Sequence, residues 1–441
     1  MTRNDLFKHW ALTGQIGFNS IIGYVFLKVL ANKFGISEEM DGFNIAYSVP
    51  FIILNVSGFA FLHGIIAAQF SRMVASHTTE IDDVFSTTLN GMLCFGLILF
   101  LACVIFSKEI AILFAPGLSS STQKMIQTLI LLMCPIAFTL GMSTYLSAIL
   151  FAYAIPIASE LPQLITRLGV IIWMLVSGAS ISLVQIASGL LAWSFISLIL
   201  VWYVFRRTTA LKYRLSFSWN IKEVKDIARQ SSSFMVVAIL AQASMFYMRR
   251  LATLDGPGVA SSIVYALSLV SPLSLIIGKP LAQIFGPKYI RYYANSALIH
   301  AKHIFLNLFL LCLIFAVAAV VLINLNADTV VSLLYGGGRF SRHAVEKIVP
   351  LFRLINWSLV PATLMWIIFI PVLNVSRSHA GARVYGIGYL LHLLFSYCLF
   401  PNYGRYGLAW AYIIGISAQA ALGFAYVYHD LSAAGRNIGH G

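Results

Sequence analysis

Charged residues are scarce in this 441-residue sequence. Asp, Glu, Lys and Arg together make up 10% of the residues, whereas 59% are hydrophobic and the mean hydropathy is +0.86. A water-soluble domain carries roughly 25% charged residues, so this chain lacks the polar surface that a soluble globular protein needs. No long polar stretch remains for a soluble domain. The composition therefore predicts an integral membrane protein in contact with lipid.

Enzyme motifs are also missing. The sequence contains no HExxH, no P-loop and no GxSxG, and the run Gly336–Gly338 lacks both the following Lys-Ser/Thr and a preceding strand. We therefore predict a turn there, no enzymatic activity, no cofactor and no metal. The cysteines lie in apolar runs without paired spacing, which favours small core residues over disulfides or metal ligands; they are Cys94, Cys103, Cys134, Cys312 and Cys398.

Long apolar runs dominate what is present. A membrane-spanning helix needs about 20 apolar residues, and the runs account for about twelve helices joined by short loops. The fold class is thus an all-α integral membrane protein, expected as two pseudo-symmetric six-helix lobes around a central cavity. The predicted spans are 11–34, 43–70, 84–107, 123–150, 157–178, 183–205, 231–254, 258–286, 300–324, 346–374, 380–400 and 405–428.

The net charge is +14, and seven of the basic residues form a cluster in the middle of the chain, between Arg206 and Arg229. Basic loops face the cytoplasm in multipass proteins, so we predict that this loop and both termini are cytoplasmic, with no nucleic-acid partner. The first apolar run follows the polar segment 1–10 without a cleavage site and is predicted to be a retained helix. The domain prediction is an N-terminal lobe over 1–205, a basic linker over 206–230 and a C-terminal lobe over 231–441. The loop with Arg339 and Arg342 is predicted to lie on the opposite side of the membrane, so its basic residues are an exception to the positive-inside bias.

The two predicted halves share short sequence patterns in the same order. Lys28-Val29-Leu30-Ala31 matches Arg249-Arg250-Leu251-Ala252, and a glycine follows each, Gly35 and Gly256. Further on, the segment 112–117 (ILFAPG) matches 333–338 (LLYGGG), each before a long helix. Many transporters are duplicated units. Because six helices is an even number, the halves are expected to be related by an axis along the membrane normal.

Basic residues inside the apolar runs are the candidate substrate-binding residues. An ionisable side chain within a membrane helix costs about 3 kcal/mol or more and usually faces a cavity or a partner. The candidates are Lys28, Arg249, Arg250, Lys279 and Arg353. The alternative is snorkelling to the lipid headgroups, which is about as plausible for Lys28 and Arg250 and is favoured for Arg167. Gly278 and Pro280 around Lys279 suggest a helix break, which is tolerated only beside protein or water.

Acidic residues in the apolar runs are rarer still. Asp41 and Asp255 precede or begin predicted helices, so they are candidate gating residues or charge partners, or they simply favour helix N-termini. Glu160 is predicted to be a loop residue. No set of carboxylates resembles a sodium or proton relay, and basic groups without acids favour an anionic substrate such as a phosphate.

Several motifs resemble the lipid II flippase (MurJ/MviN) family, and the likeness covers most of the chain. They occur in the family's order and are Gly23-Tyr24, Phe34-Gly35, Asp41-Gly42-Phe43, Ala46–Pro50, Ala115-Pro116-Gly117, Ile149-Leu150 with Ile155-Pro156, and Leu333–Tyr335 with Gly338–Phe340. The resemblance implies the multidrug/oligosaccharidyl-lipid/polysaccharide (MOP) flippase superfamily. Its members translocate undecaprenyl-pyrophosphate-linked sugars across the bacterial inner membrane by alternating access of two lobes.

The sequence departs from that family at its charged cavity positions. Phe26 stands where the family has an Arg, Leu54-Asn55 where it has an Arg pair, Phe59 where it has a Glu, and Leu267-Ser268 where it has Asp-Arg. An exopolysaccharide or O-antigen unit is therefore a better-fitting substrate than a peptidoglycan precursor. Membrane lipid, glycosyltransferases and a polymerase are the candidate partners. The rival hypotheses are a multidrug or metabolite exporter of the same superfamily and a membrane scaffold without transport.

Overall fold

The fold is that of a computed structural model, which describes residues 3–437 except 57–61, 77, 154, 156–160, 179–180, 296 and 375–377. The described chain is built from helices, and its only β feature is an isolated antiparallel bridge between Gly337 and Phe340. It divides into two compact units, Met1–Gln242 and Ala243–Gly441.

Among the described residues, the first unit contains eight helices and the beginning of a ninth. They are α1 (Arg3–Phe34), α2 (Glu38–Val56), α3 (Leu62–Ala75), α4 (Ile81–Ile105), α5 (Ser107–Phe114), α6 (Ser120–Ala152), α7 (Leu161–Val176), α8 (Leu183–Thr208) and the start of α9 (Lys222–Leu254). A segment without regular secondary structure, 209–218, connects α8 towards α9. The non-helical connection is therefore shorter than the predicted linker over 206–230, because both ends of that range continue the flanking helices.

The second unit begins within α9. Its further elements are α10 (Val259–Ala294), α11 (Leu298–Leu325), α12 (Ala327–Tyr335), α13 (Arg342–Ile355), a 3₁₀ turn (Asn356–Ser358), α14 (Leu359–Asn374) and α15 (Ser378–Asn437). Helix α15 contains two helical stretches that meet at Gly404, whose backbone is non-helical (φ 51°, ψ −132°). This break separates the last two predicted spans.

Within the described residues, the predicted spans fall on helices. Eight stretches are long and apolar enough to cross a membrane, and one of them, Gly381–Ser432, holds two predicted spans. The remaining predicted spans correspond to α1, to α2 with α3, and to the shorter α7. The prediction of an all-helical membrane protein is confirmed.

The predicted helix break at Gly278–Pro280 is wrong, because α10 continues through it from Val259 to Ala294. The presence of glycine at position 278 is explained by helix packing instead. A Cβ added at Gly278 would lie 2.6 Å from the Trp366 ring of α14, so the small residue allows close packing of two helices. Small residues serve this purpose widely in membrane helices.

The two units share one local order of elements. In each, a long apolar helix (α4 or α11) is followed by a short helix (α5 or α12) and then by a turn. A serine next caps a further helix: Ser119 accepts a hydrogen bond from the Thr122 backbone, and Ser341 accepts one from Ala344. Serine is a preferred N-cap. The repeated sequence patterns therefore correspond to repeated local structure, whereas a rotation axis relating the halves stays a prediction.

Candidate functional site

Three of the basic candidate residues lie on α9 and α10. Arg249 and Arg250 occupy the last two turns of α9, and Lys279 lies in the C-terminal half of α10; all three are partly buried. Arg249 forms no ion pair with the residues that the structure describes. A guanidinium in a membrane helix without a carboxylate partner is the arrangement expected of an anion-binding group.

The basic candidates outside this pair of helices have different surroundings. Lys28 is partly buried in the last two turns of α1. Arg353, near the end of α13, is paired with Asp328 of α12 through Nη2 and Oδ2 at 2.7 Å. Both of these side chains are about half exposed or more, so this pair ties two helices at a surface and adds little to stability.

Asp255 has a charge partner that sequence reasoning missed. Its Oδ2 accepts hydrogen bonds from the Arg405 Nε at 2.6 Å and the Arg405 backbone N–H at 3.3 Å, and its own carbonyl oxygen accepts one from Nη2 at 3.3 Å. The neighbouring Gly404 is in the left-handed region, where a Cβ would lie 2.5 Å from Asp255 Oδ1. Asp255 therefore joins the α9–α10 turn to the break in α15, which agrees with its interpretation as a charge partner, although the sequence did not identify Arg405.

Asp41 and Arg167 are both engaged within the first unit. Asp41 is fully buried in the first turn of α2. Arg167 Nη1 donates to Asn19 Oδ1 at 3.2 Å, and a Cβ at Gly23 would lie 2.9 Å from Nη1. Arg167 thus joins α7 to α1, whereas its snorkelling to the headgroups stays a prediction.

Inside the second unit, α10, α14 and α15 enclose a cavity of about 340 Å³. Aromatic rings and uncharged polar side chains line it, among them Ser271, Ser274, Trp366, Phe369, Tyr385, Tyr412 and Gln419. Behind Tyr412, the ring of His392 packs edge-on at 5.6 Å between centroids. Sequence reasoning missed this cavity. The available signal was a polar residue, Gln419, within an apolar helix.

The positions where the resembling family carries charge hold uncharged residues here. Phe26 is buried 6.2 Å from the Tyr47 ring, Leu54 is buried, and Ser268 lies 2.6 Å from the Tyr335 hydroxyl. Phe59 and Glu160 lie outside the described residues. These side chains pack and bond within their own units, which is consistent with a different distribution of charge.

No cluster of three or more His, Cys, Asp or Glu side chains suited to a metal ion occurs in the described part of the chain. Of the cysteines, Cys134 and Cys312 are buried, whereas Cys94 and Cys398 are exposed on helix surfaces. The prediction that all five cysteines are core residues is therefore wrong for the two exposed ones, because an apolar run does not say which helix face is covered.

Comparison with known proteins agrees with this architecture. The family model described as "Lipid II flippase MurJ" matches residues 30–438. A probable lipid II flippase MurJ from Buchnera aphidicola subsp. Acyrthosiphon pisum is 24% identical over 364 residues, which cover 80% of this chain and 69% of the relative.

Two solved structures show the same fold at low identity. A lipid II flippase MurJ in an inward closed conformation has a TM-score of 0.79 and 17% identity, and the match covers 95% of this chain and 87% of that one. An inward-facing multidrug resistance MATE family transporter of the MOP superfamily has a TM-score of 0.74 and 15% identity, with 94% and 95% covered.

These two structures show that the chain has the helical multipass membrane fold that MurJ and MATE proteins share. Since the family model covers nearly the whole sequence, the chain belongs to the lipid II flippase MurJ family. The resemblance stated from the motifs is confirmed.

Proposed function

We propose that this protein is a flippase that translocates a polyprenyl-pyrophosphate-linked oligosaccharide across the bacterial inner membrane by alternating access. Family membership supports the lipid-linked precursor as substrate class. An exopolysaccharide or O-antigen unit fits better than a peptidoglycan precursor, because Phe26 and Ser268 replace charged residues of the family. Both termini and the segment between α8 and α9 face the cytoplasm in this proposal. Glycosyltransferases and a polymerase act before and after the transport step.

The observation that carries the proposal is Arg249. Three other arginines of the second unit have carboxylate partners: Arg342 pairs with Glu346, Arg353 with Asp328 and Arg405 with Asp255. Arg249 lies in an apolar helix and has no carboxylate partner among the described residues. An anion in a low-dielectric site is attracted far more strongly than in water, and a guanidinium can bind two phosphate oxygens at once. Arg249 is therefore assigned to the pyrophosphate.

Lys279, Arg250 and Lys28 are assigned supporting roles. A lysine provides a compact positive charge on a flexible stem and binds phosphate without fixed geometry. Arg353 is the weakest of the proposed set, because Asp328 already accepts its guanidinium at 2.7 Å. An exporter of organic cations would need acids in place of these bases, which is why the multidrug alternative is second.

The test is transport of a fluorescent polyprenyl-pyrophosphate saccharide in proteoliposomes that contain purified protein. We expect Arg249→Ala to abolish transport and Arg249→Lys to restore part of it, because the point charge loses the two-pronged geometry. At Lys279, Arg should be tolerated better than Gln. The matched control is Arg342→Ala, which removes an equal charge from an exposed residue paired with Glu346.

Reconstituted protein amount and melting temperature must be the same in all variants, since lost packing can imitate lost transport. Wild-type transport by the double variant Arg249→Ala/Lys279→Gln would show that these residues are membrane anchors. Transport of organic cations by the wild type, with no transport of the saccharide lipid, would instead establish the exporter hypothesis.

A further inference from the structure

The segment Leu211–Trp219, called the strap below, has no regular secondary structure and lies against the N-terminal half of α4. Backbone groups of the strap are bonded to side chains of α4: Lys212 N–H to Asp82 Oδ1 at 3.0 Å and Arg214 N–H to Ser86 Oγ at 2.9 Å. Asn90 Nδ2 donates to the Ser216 carbonyl at 2.8 Å. Asp82, Ser86 and Asn90 are spaced four residues apart, so they lie along one face of the helix.

These bonds hold the backbone of the strap in place through side chains of α4, not through pairing with a β-strand. A backbone N–H that leaves water needs a partner, and here polar side chains of α4 replace the neighbouring strand. The Thr87 hydroxyl accepts a further bond from the Ser218 N–H at 3.0 Å, and the Tyr213 hydroxyl donates to Asn90 Oδ1 at 2.8 Å. The strap is therefore a defined element of the first unit and not a loose linker.

The outer surface of the strap combines large apolar side chains with basic ones. Leu215 is 80% exposed and Trp219 is 50% exposed, with Tyr213 and Phe217 similar to Trp219. Lys212 and Arg214 alternate with them and are exposed. One edge of the Trp219 ring packs closely against Gly91 of α4, where an added Cβ would lie 2.5 Å from the ring. The exposure of these rings is thus built into the fold.

The adjoining end of α8 continues this surface. Trp202 and Tyr203 are exposed there, followed by Arg206 and Arg207, and the Arg207 guanidinium lies over the Tyr203 ring at 5.5 Å. Exposed Trp and Tyr mark the membrane–water interface. None of these basic side chains forms an ion pair with an acidic residue of the described chain. Their charges are therefore available to an external anion.

We propose that the strap and the end of α8 form a binding site for acidic phospholipids of the leaflet that they face. Lys212, Arg214 and Arg206 bind the headgroup phosphate, while Leu215, Phe217 and Trp219 enter the acyl region beside it. Charge complementarity favours an anionic lipid over a zwitterionic one, since each basic residue near a membrane surface strengthens the binding of anionic lipid about fivefold. The site holds the connection between α8 and α9 at the membrane surface.

The test uses the intact protein in lipid nanodiscs and the fluorescence of Trp219. The chain has eight tryptophans, so the Trp219→Phe variant provides the background to subtract. Nanodiscs contain mostly unlabelled phosphatidylcholine with the same small fraction of either brominated phosphatidylglycerol or brominated phosphatidylcholine. We expect brominated phosphatidylglycerol to quench Trp219 at least about twofold more strongly.

The Lys212→Gln/Arg214→Gln variant, which keeps Arg206, should lower the ratio of the two quenching values clearly while quenching by phosphatidylcholine persists. The matched control, Arg339→Gln/Arg342→Gln, removes two charges from the second unit and should leave the ratio unchanged. No quenching by either lipid would place the strap in water and overturn the proposal. Equal quenching by both lipids in the wild type would also overturn it, because the surface would then be an apolar anchor without a headgroup site.

Discussion

Two buried tyrosines, one in each unit, make the same set of bonds from different helices. In the first unit, the Tyr145 hydroxyl of α6 lies 2.6 Å from the Thr88 hydroxyl of α4 and donates to the Phe85 carbonyl at 2.8 Å. In the second, the Tyr335 hydroxyl of α12 lies 2.6 Å from the Ser268 hydroxyl of α10 and 3.2 Å from the Tyr265 carbonyl. In both, the hydroxyl partner lies three residues after the carbonyl partner.

The units differ in what surrounds these bonds. Tyr145 bonds to α4 in the same stretch of helix that holds the strap, and most of the connecting bonds there involve uncharged groups. Tyr335 lies on the short helix α12, which is also tied to α13 by Arg353 and Asp328. The second unit adds the Asp255–Arg405 pair at its α9–α10 turn. Both units therefore have the tyrosine hydroxyl bonds. The first unit adds mainly hydroxyl and backbone hydrogen bonds at the strap, and the second unit adds ion pairs.

The largest expected difference concerns the Asp255–Arg405 pair. Asp255→Ala leaves a guanidinium that is only 24% exposed without its partner and removes an acceptor of the Arg405 N–H. We expect a loss of about 2–3 kcal/mol, below the full cost of breaking a buried pair because part of each group is solvated. The melting temperature in detergent should fall by about 4–10 °C.

Hydrogen exchange shows where this loss occurs. Exchange should increase in the α9–α10 turn and around Gly404, while the strap and α4 stay protected. Equal loosening of both units would contradict the assignment of this pair to the second unit. The control is Glu346→Ala, which breaks the more exposed Arg342–Glu346 pair and should change the melting temperature little.

A smaller effect is expected for the two tyrosines. Tyr145→Phe and Tyr335→Phe each remove one hydroxyl from a buried site and leave a Ser or Thr with one bond fewer, which costs about 1–2 kcal/mol. Because the two bond sets are alike, the two losses should be similar and should add in the double variant, as expected for distant sites. Melting temperatures of the three variants measure this. A loss at only one tyrosine would show that the surrounding bonds, and not the hydroxyl itself, determine stability.

The helices could be predicted from the sequence, but the side-chain contacts that join them could not. Apolar runs and turn residues such as Gly35 and Gly256 identify elements through local pattern. The contact between Asp255 and Arg405 joins residues 150 positions apart, and it depends on how two helices are rotated and shifted. Gly278 shows the same limit, because a glycine beside a proline is compatible with a break or with close packing, and only Trp366 decides between them. The cavity beside Tyr412 depends on three helices that no local pattern brings together.

The smallest expected effect concerns the counterpart of Asp255 in the first unit, Glu38 at the α1–α2 turn. Its Oε1 accepts a hydrogen bond from the Ser119 N–H at 2.5 Å, which joins this turn to the start of α6. Hydrogen bonds from the Ser119 side chain and backbone lower the pKa of the Glu38 carboxyl from its usual value of 4.5. A lowered folded-state pKa means that the charged form stabilises the fold above the unfolded-state pKa. This contribution is lost as the pH falls through the folded-state value.

Glu38→Gln should therefore melt slightly below the wild type at pH 7. The difference should shrink as the pH falls below about 4.5 and disappear once the wild-type carboxyl is protonated. Melting curves of both proteins between pH 7 and pH 3.5, about the range over which a carboxyl changes charge, measure it, with Glu39→Gln as the control for removing an exposed charge next to it. A difference that is independent of pH would mean that the shape of the side chain, and not its charge, joins the turn to α6. The Glu38 contact, like the Tyr145 hydroxyl bonds, would then join helices of the first unit without using charge. The contrast with the Asp255–Arg405 pair would become sharper.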